Sequence, residues 1–227
     1  MQSLACYMQS NPTPISLIIG LTGASGSLYG LHLLQALLTG AAGRSTLIVS
    51  PAAIRVFNQE FDTALETPLD LLRYATERAL QAAGSSPSVL HDFDIADYRD
   101  IGARPASGSA PYHGMVICPC SMKTMAGIAA GYTSNLIERA ADVTLKERRR
   151  LIVVPREAPY SLIHLRNMTA LTEAGGIVLP ASPAFYQKPQ SFDDLGRFIA
   201  GRILALLGLS QNLFPAWEGE TKAIQNP

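Results

Sequence analysis

Short apolar runs alternate with helical segments along most of this chain, and this alternation constrains the fold more than any other feature of the sequence. The first run, residues 15–21, lacks the polar alternation of a half-exposed strand, so it predicts a strand covered on both faces. Apolar residues then recur at near-helical spacing, at Leu28, Leu31, Leu34 and Leu38. A strand, a turn and a helix in this order form one half of a βαβ unit.

The same order continues toward the end of the chain. Further strands are predicted at residues 46–50, 89–95, 115–118, 151–155 and 176–180. Helices are predicted at residues 51–60, 68–83, 122–130, 135–149, 161–174 and 192–207. Strands that alternate with helices imply an α/β fold with a mainly parallel sheet and right-handed crossovers. We expect one domain over residues 15–208, an N-terminal arm (1–14) and a C-terminal tail (209–227) that packs on a neighbour or frays.

The charge balance excludes several classes of protein. The 227 residues include 18 Lys and Arg against 18 Asp and Glu, and only 16% of residues are charged while 48% are apolar. Such a chain fits neither a disordered protein nor a non-specific nucleic-acid binder, since both usually show a charge imbalance. A low charged fraction leaves apolar surface that contacts between subunits would bury, so we expect an oligomer with specific, small partners.

The cysteines and the chain start bear on the cellular compartment. Cys118 and Cys120 lie in a predicted buried strand and Cys6 is the third, so we expect buried thiols and no disulfide framework. A lone Cys-x-Cys pair is also poor zinc spacing, and we expect no metal site. No Lys or Arg precedes Arg44, and no apolar run approaches the roughly 20 residues of a membrane span. We therefore expect a cytoplasmic protein.

Four loops that follow predicted strands are the candidate ligand-binding segments, because ligands of open parallel sheets bind beyond the carboxyl ends of the strands. These loops are residues 22–27, 119–124, 155–160 and 183–189. The first brings backbone amides to a helix N-terminus, as phosphate sites do, although a tight turn would need the same small residues. In the second, Ser121 is equally consistent with an ordinary helix N-cap.

The other two loops carry charge and aromatic rings. Arg156 and Glu157 lie between two prolines at the tip of a buried strand, which favours a functional over a structural role. The loop at 183–189 could cover a planar ligand or be a surface loop with one packed aromatic residue. His32 and His164 fall on predicted helices, and we expect both to be packed or at the surface rather than catalytic.

The predicted helix 135–149 carries a cluster of charges. Arg139 and Lys146 are seven residues apart and so share a face, while Asp142 can pair with Lys146. This face is either functional or simply solvated. The run Arg148–Arg150 predicts a helix C-terminus, where the helix dipole favours cations.

Together these segments resemble the flavin prenyltransferase family (UbiX type). The resemblance spans roughly residues 15–217 and rests on Thr22–Gly26 with Tyr29-Gly30, Ile117–Ser121, Asn135–Val143 with Leu145–Arg149, Val154–Pro159, and Phe185-Tyr186 before Pro189–Ser191. It implies a Rossmann-like, flavodoxin-like three-layer fold that assembles as a homododecamer. It also implies that FMN and dimethylallyl phosphate bind at a subunit interface, where the prenyl group is joined to the flavin.

The resemblance further implies roles for single residues. Contacts to FMN would come from Gly23, Ala24, Ser25, Ser50, Ser121, Met122, Lys123, Thr124 and Arg156. The prenyl phosphate would be held by Tyr186 and Arg202, with Arg139 and Lys146 from a neighbouring subunit completing a cationic clamp. Ser107 and Trp217 would belong to the same substrate site. Glu60 and Glu157 match acidic residues near the reacting flavin.

The implied chemistry suits these residue types. Reduced FMN, as co-substrate, would offer N5 and C6 as nucleophiles, while cations and the Tyr186 phenol stabilise the charge gained by the departing phosphate. If Arg139, Lys146 and Arg202 neutralise a monophosphate, the reaction would need no metal, and no aspartate-rich motif is present. Glu157 or the departing phosphate could take the released proton. The product, prenylated FMN, would serve a UbiD-type decarboxylase, as in ubiquinone biosynthesis; whether the donor is a monophosphate or a diphosphate stays open.

Two alternatives use the same fold. An FMN-dependent cysteine decarboxylase would carry a Pro-Ala-Ser-Ala-Asn-Thr-like loop and a catalytic histidine. Here the corresponding loop is Pro119–Thr124, and neither His91 nor His113 precedes it at a suitable distance. A non-catalytic flavin carrier would bind FMN without needing the phosphate clamp of Tyr186 and Arg202.

Overall fold

A computed structural model describes residues 14–83 and 91–215 of the chain. Its strands are β1 (Leu17–Leu21), β2 (Gly43–Val49), β3 (His91–Ala96), β4 (Gly114–Cys120), β5 (Arg150–Pro155) and β6 (Ile177–Val178). Its helices are α1 (Ser27–Gly40), α2 (Pro51–Phe61), α3 (Pro68–Ala82), α4 (Met122–Ala129), α5 (Leu136–Lys146), α6 (Leu162–Glu173) and α7 (Phe192–Leu207), with a 3-10 turn at Arg104–Ala106. Cys6, Trp217 and residues 1–13 of the predicted arm lie outside the described residues.

The six strands form one sheet in the order β3-β2-β1-β4-β5-β6, and every neighbouring pair is parallel. This is the strand order of Rossmann folds, in which the order reverses between the first and fourth strands. The expected three-layer α/β fold is confirmed, and the sheet is entirely rather than mainly parallel. The reversal opens a crevice beyond the carboxyl ends of β1 and β4.

Apolar residues cover both faces of the sheet, as the unbroken strand runs predict. Leu17, Ile19 and Leu21 face the cluster built with α1, α3 and α7, whereas Ile18 faces the cluster built with α4 and α5. All four side chains are buried. None of the helices in the described ranges is long and apolar enough to cross a membrane.

Side-chain caps fix where most helices begin. Serine, threonine or asparagine caps α2 through α7, and Pro51 and Pro68 occupy the first positions of α2 and α3. His164 completes the capping box of α6 with Ser161, and the buried His32 contacts Asp193 across the α1–α7 interface. Both histidines are thus packing and capping residues, as expected.

The arginine run after α5 differs from its prediction. The helix already ends at Lys146, Arg148 takes a left-handed conformation (φ 55°), and Arg150 begins β5. Arg149 instead donates hydrogen bonds to the carbonyl oxygens of Gly108 and Ala110, at 2.6 and 2.7 Å. The run therefore lies just beyond the helix end, where the Arg148 and Arg149 amides donate to the Leu145 and Thr144 carbonyl oxygens, and the Arg149 side chain holds the loop before β4.

Three further details depart from the predictions. Asp142 pairs with Arg139 at 2.8 Å, one turn before it, so the predicted pair with Lys146 does not form. The described start of the C-terminal tail, residues 209–215, packs on its own chain through Phe214, whose ring lies 4.8 Å from that of Phe198 on α7. The edge strand β6 keeps only two residues of the predicted run 176–180.

A buried histidine joins three strands at the amino edge of the sheet. Ser45 Oγ accepts a hydrogen bond from the Leu17 amide (2.9 Å) and lies 2.7 Å from His91 Nε2, while His91 Nδ1 lies 2.9 Å from the Ala41 carbonyl oxygen. Because that carbonyl only accepts, Nδ1 carries the proton and Nε2 accepts from Ser45. Burial lowers the pKa of His91, so the folded protein keeps the ring neutral.

This neutral histidine predicts a loss of stability in acid. As the pH falls below about 6.5, His91 becomes protonated in the unfolded chain but stays neutral in the folded protein. Acid therefore favours the unfolded state, and the free energy of unfolding should fall by up to about 1.4 kcal/mol per pH unit. His91→Gln cannot titrate and should show a shallower slope in urea titrations between about pH 7 and pH 5. Burial also lowers the pKa of His32, which leaves a residual slope. Equal slopes for variant and parent would contradict the prediction.

Candidate active site

A cavity of about 450 Å³ lies where the strand order reverses. It is lined by Thr22, Gly23, Ser50, Pro51, Ala52, Arg55, Tyr98, Ser121, Lys123 and Thr124. These residues come from the loops and helix starts beyond β1, β2, β3 and β4. Its volume is within the range of small-molecule pockets, about 300–1,000 Å³. We refer to it as the switch-point cavity.

Thr22 joins the two loops on either side of the strand-order reversal. Its hydroxyl donates to the Pro119 carbonyl oxygen at 2.9 Å and accepts from the Ser121 amide at 2.7 Å. The Thr22 amide donates to the same carbonyl at 3.2 Å. Three hydrogen bonds therefore fix the relative position of the first and second candidate loops.

Two helix N-termini open into the switch-point cavity. Ser50 caps α2 by accepting from the Ala53 amide (3.1 Å), and Ser121 caps α4 by accepting from the Thr124 amide (3.3 Å). Ser121 is thus an N-cap as well as a cavity residue, so both interpretations of this loop hold. The positive ends of the two helix dipoles favour an anion in the cavity.

Gly23 allows the first loop to approach α2. A Cβ atom at this position would lie 2.5 Å from Ala52 Cβ, well inside van der Waals contact. The small residues of the first loop are therefore needed for packing as well as for ligand access. By contrast, the Met122 side chain packs among the buried residues under α4 and does not line the cavity.

The first amides of α1 are occupied by a carboxylate of the protein. This helix has no side-chain cap of its own, and Glu60 Oε1 and Oε2 accept from the Gly26 and Ser27 amides, each at 2.8 Å. The pKa of Glu60 would be raised by burial, but hydrogen bonds from Ser25, Gly26 and Ser27 hold it below its usual value. At the Gly26 and Ser27 amides the anion is therefore Glu60, and ligand contacts of Gly23, Ala24 and Ser25 stay predictions.

Arg156 lies beside the same helix start. Its Nε donates to the Ser25 carbonyl oxygen at 2.9 Å, which brings the β5 loop against the first loop. Glu157 follows directly and is half-buried, and its Oε1 accepts from the Ala158 amide at 3.1 Å. The structure thus joins Glu60 and Arg156 to the first loop at the start of α1, with Glu157 next to Arg156 in the chain, while their contacts to a ligand stay predictions.

A second cavity, of about 520 Å³, lies beside α7. Tyr186 lines it and meets Phe198 edge-on, with ring centroids 6.5 Å apart and an interplanar angle of 87°. Arg202 lies four residues after Phe198, on the same face of α7, and is exposed. Tyr186 and Arg202 therefore share one side of this helix.

Lys146 and Ser107 line neither of the two cavities. Helix α5 begins at the carboxyl edge of the sheet, where the Leu136 amide donates to the Tyr98 carbonyl oxygen, and ends next to the first residue of β5. Its eleven residues span about 16 Å. At the far end Lys146 approaches Gly108, the residue after Ser107. Within one chain, Lys146 thus lies at the amino edge of the sheet, away from the switch-point cavity.

Arg55 and Tyr98 line the switch-point cavity and are absent from the sequence-based predictions. A cation one helical turn after Pro51, in a helix that directly follows a strand, was the available signal for Arg55. Tyr98 follows the weakly patterned strand β3, where the sequence carries no comparable signal. No histidine of the described ranges lines either of the two cavities, which weighs against the cysteine decarboxylase alternative.

The buried cysteines take no part in ligand binding. Cys118 and Cys120 are completely buried, and burial raises the pKa of both thiols well above its usual value, so they stay protonated and unreactive. No group of three or more His, Cys, Asp or Glu side chains in the described ranges is arranged to hold a metal ion.

Comparisons with known proteins agree with this geometry. A family model described as Flavoprotein matches residues 7–204. The flavin prenyltransferase UbiX of Pseudomonas aeruginosa is 45% identical over 205 residues, covering 90% of this chain and 94% of that protein. UbiX of Escherichia coli K12 is 42% identical over 205 residues, covering 89% of this chain and 98% of that protein.

Solved structures show the same relationship. AnUbiX (PadA1) in complex with FMN and dimethylallyl pyrophosphate has a TM-score of 0.78 at 36% identity, covering 92% of this chain and all of that one. A dodecameric FMN-dependent UbiX-like decarboxylase from Escherichia coli O157:H7 has a TM-score of 0.75 at 40% identity, over 90% and 100% of the two chains. The cysteine decarboxylase TvaF, at 18% identity and a TM-score of 0.51, shares the fold alone. The chain therefore belongs to the UbiX-type flavin prenyltransferase family of flavoproteins.

Proposed function

We propose that this protein transfers the dimethylallyl group of dimethylallyl phosphate to N5 and C6 of reduced FMN, without a metal. The observation that carries the proposal is the switch-point cavity, where two helix N-termini and the cations Arg55 and Lys123 meet. The relatives named flavin prenyltransferase, and the AnUbiX complex with FMN and dimethylallyl pyrophosphate, support it.

The residues of this cavity fit FMN. Its phosphate needs several hydrogen-bond donors and positive charge, which Ser50, Thr124, Lys123 and Arg55 supply around the two helix starts. The remaining length of the flavin would extend toward Ser25, Glu60 and Arg156 at the start of α1. When bound, reduced FMN would supply the nucleophilic N5 and C6 atoms.

Two acidic residues at this end of the crevice have different tasks. Glu60 is ionised and receives two backbone hydrogen bonds, so it holds the first loop in place beside the ligand. Glu157 accepts only from the neighbouring Ala158 amide among the described residues, which leaves its second carboxylate oxygen for a released proton.

The prenyl phosphate requires residues of two chains. Tyr186 and Arg202 lie on one side of α7, whereas Lys146 lies at the end of α5, on the other face of the sheet, and neither Lys146 nor Ser107 lines the cavity beside α7. A neighbouring copy would bring its Arg139 and Lys146 to the cavity beside α7, and the guanidinium, ammonium and phenol groups would then stabilise the departing phosphate.

We further propose that twelve copies assemble, as in the dodecameric neighbour from Escherichia coli O157:H7. Helix α6 supports association, because Leu171 alone of its twelve residues is buried while Leu162, Ile163 and Leu165 are exposed. Exposed apolar residues of this density mark contact surfaces. Delivery of the product to a UbiD-type decarboxylase, a role in ubiquinone biosynthesis and a cytoplasmic location stay predictions from the sequence.

Mass spectrometry tests the reaction directly. Purified protein is incubated without oxygen with reduced FMN and dimethylallyl phosphate, and the released flavin should be heavier by one five-carbon prenyl unit. A parallel incubation with the diphosphate identifies the donor. Unmodified FMN from both incubations, with FMN binding demonstrated, would reject the transferase in favour of a flavin carrier.

Replacement of Gly23 tests the position of the flavin. In Gly23→Ala the new methyl group collides with Ala52, so the first loop must move away from α2 and FMN should bind about tenfold more weakly or worse. Gly40→Ala is the matched control, since a Cβ atom there meets nothing within 4 Å and alanine favours the helix. Flavin fluorescence titration measures both. Normal affinity in Gly23→Ala would place the flavin elsewhere.

Mixed oligomers test the shared site. Arg202→Ala and Lys146→Ala should each be nearly inactive alone, because each removes one cation from every phosphate site. Co-expressed in equal amounts, they would form some sites with both cations intact and recover up to about a quarter of the parental activity, if the two residues come from different chains. If both residues of a site came from one chain, the mixture would stay inactive.

A further inference from the structure

Glu138 is a fully buried carboxylate with a complete set of partners. It lies in the first turn of α5 with 0% of its surface exposed. Oε1 accepts from Lys123 Nζ at 2.7 Å, and Oε2 accepts from the Ser134 amide and hydroxyl at 2.8 and 2.6 Å. Burial raises the pKa of Glu138, but these hydrogen bonds outweigh it and hold the pKa below its usual value. The carboxylate is therefore ionised at neutral pH.

The neighbouring helix α4 packs closely against the Glu138 carboxylate. A Cβ atom on Gly127 of α4 would lie 3.0 Å from the Glu138 carboxyl carbon, so the two helices approach each other closely at this point. A buried charge is costly unless it is paired and hydrogen-bonded, and here each oxygen has a partner. These contacts hold the ionised Glu138 carboxylate in one position next to the residues that line the switch-point cavity.

Lys123 connects Glu138 to the cavity. Its side chain is 68% exposed and lines the cavity beside Ser121 and Thr124, whereas its ammonium is held by the buried carboxylate. A free lysine side chain loses conformational entropy when it is fixed, and the contact to Glu138 already restrains this one. Since the ammonium has three donors, contacts to Glu138 and Ser134 Oγ (3.4 Å) leave one for a ligand.

We propose that Glu138 is a positioning residue that fixes the Lys123 ammonium where the phosphate of FMN binds. The inference rests on the proposed function, because it places that phosphate between the starts of α2 and α4. It adds a residue that touches neither FMN nor the prenyl donor. Arg55, across the cavity, has no such buried partner among the described residues, so Lys123 is the pre-positioned cation of the pair.

The test compares two flavins that differ only in the phosphate. Dissociation constants of oxidised FMN and riboflavin are measured by fluorescence titration for the parent, Glu138→Gln, Lys123→Met and the double variant. Glu138→Gln and Lys123→Met should each weaken FMN binding about tenfold, as for one charge-assisted hydrogen bond, and leave riboflavin binding unchanged. The double variant should lose no more than either single variant, because both disrupt the same contact.

Control variants separate positioning from a loss of structure. Glu173→Gln removes the same charge at the end of α6, at the opposite edge of the sheet, and should bind both flavins as the parent does. Ser134→Ala keeps the Glu138 charge but removes one of its hydrogen bonds. It should cause a smaller loss confined to FMN, and it replaces Glu138→Gln if that variant does not fold.

Several outcomes would overturn the inference. Equal losses for FMN and riboflavin in Glu138→Gln would show general damage to the cavity, and tighter or unchanged FMN binding would show that the carboxylate competes with the phosphate or is irrelevant. Additive losses in the double variant would show that Glu138 does not act through Lys123. Failure of the parent itself to bind FMN would instead reject the proposed function.

Discussion

The Thr22 hydroxyl is the contact on which the site depends. It donates to the Pro119 carbonyl oxygen and accepts from the Ser121 amide, so one oxygen atom joins the ends of β1 and β4 where the strand order reverses. In any doubly wound sheet the helices diverge at this point and leave a crevice. Here that crevice has a fixed width, because the loops on its two sides cannot move independently.

Three helix N-termini lie near the strand-order reversal, and only two of them face the cavity. The start of α1 is neutralised internally by Glu60, whereas the starts of α2 and α4 are capped by Ser50 and Ser121 and remain open to the switch-point cavity. An anion in this cavity therefore meets two helix dipoles rather than three. At the start of α1 the internal carboxylate holds the first loop, which Arg156 also contacts through the Ser25 carbonyl oxygen.

Most of the fold could be predicted from the sequence because strand runs, caps and prolines act locally. The starts of α2 at Pro51 and of α7 at Phe192 are examples. The conformation of the arginine run after α5 could not be predicted in this way, since Arg149 binds carbonyl groups of a loop some forty residues earlier in the chain. The same holds for the candidate site. Loop motifs in the sequence point to Ser121 and Arg156, whereas the positions of Arg55 and Glu138 beside the cavity depend on contacts between segments that are distant in the chain.

Helix α5 connects the switch-point cavity with the opposite edge of the sheet. Its first turn holds Glu138 next to the switch-point cavity, and its last residue, Lys146, lies at the other edge of the sheet. Each residue of an α-helix adds about 1.5 Å and 100° of rotation. Inserting or deleting one residue would turn Lys146 by about 100° while Glu138 stayed in place. The length of the helix therefore fixes the relative position of these two charges, and in the proposed shared site it would set the spacing between one copy's flavin and the next copy's prenyl phosphate.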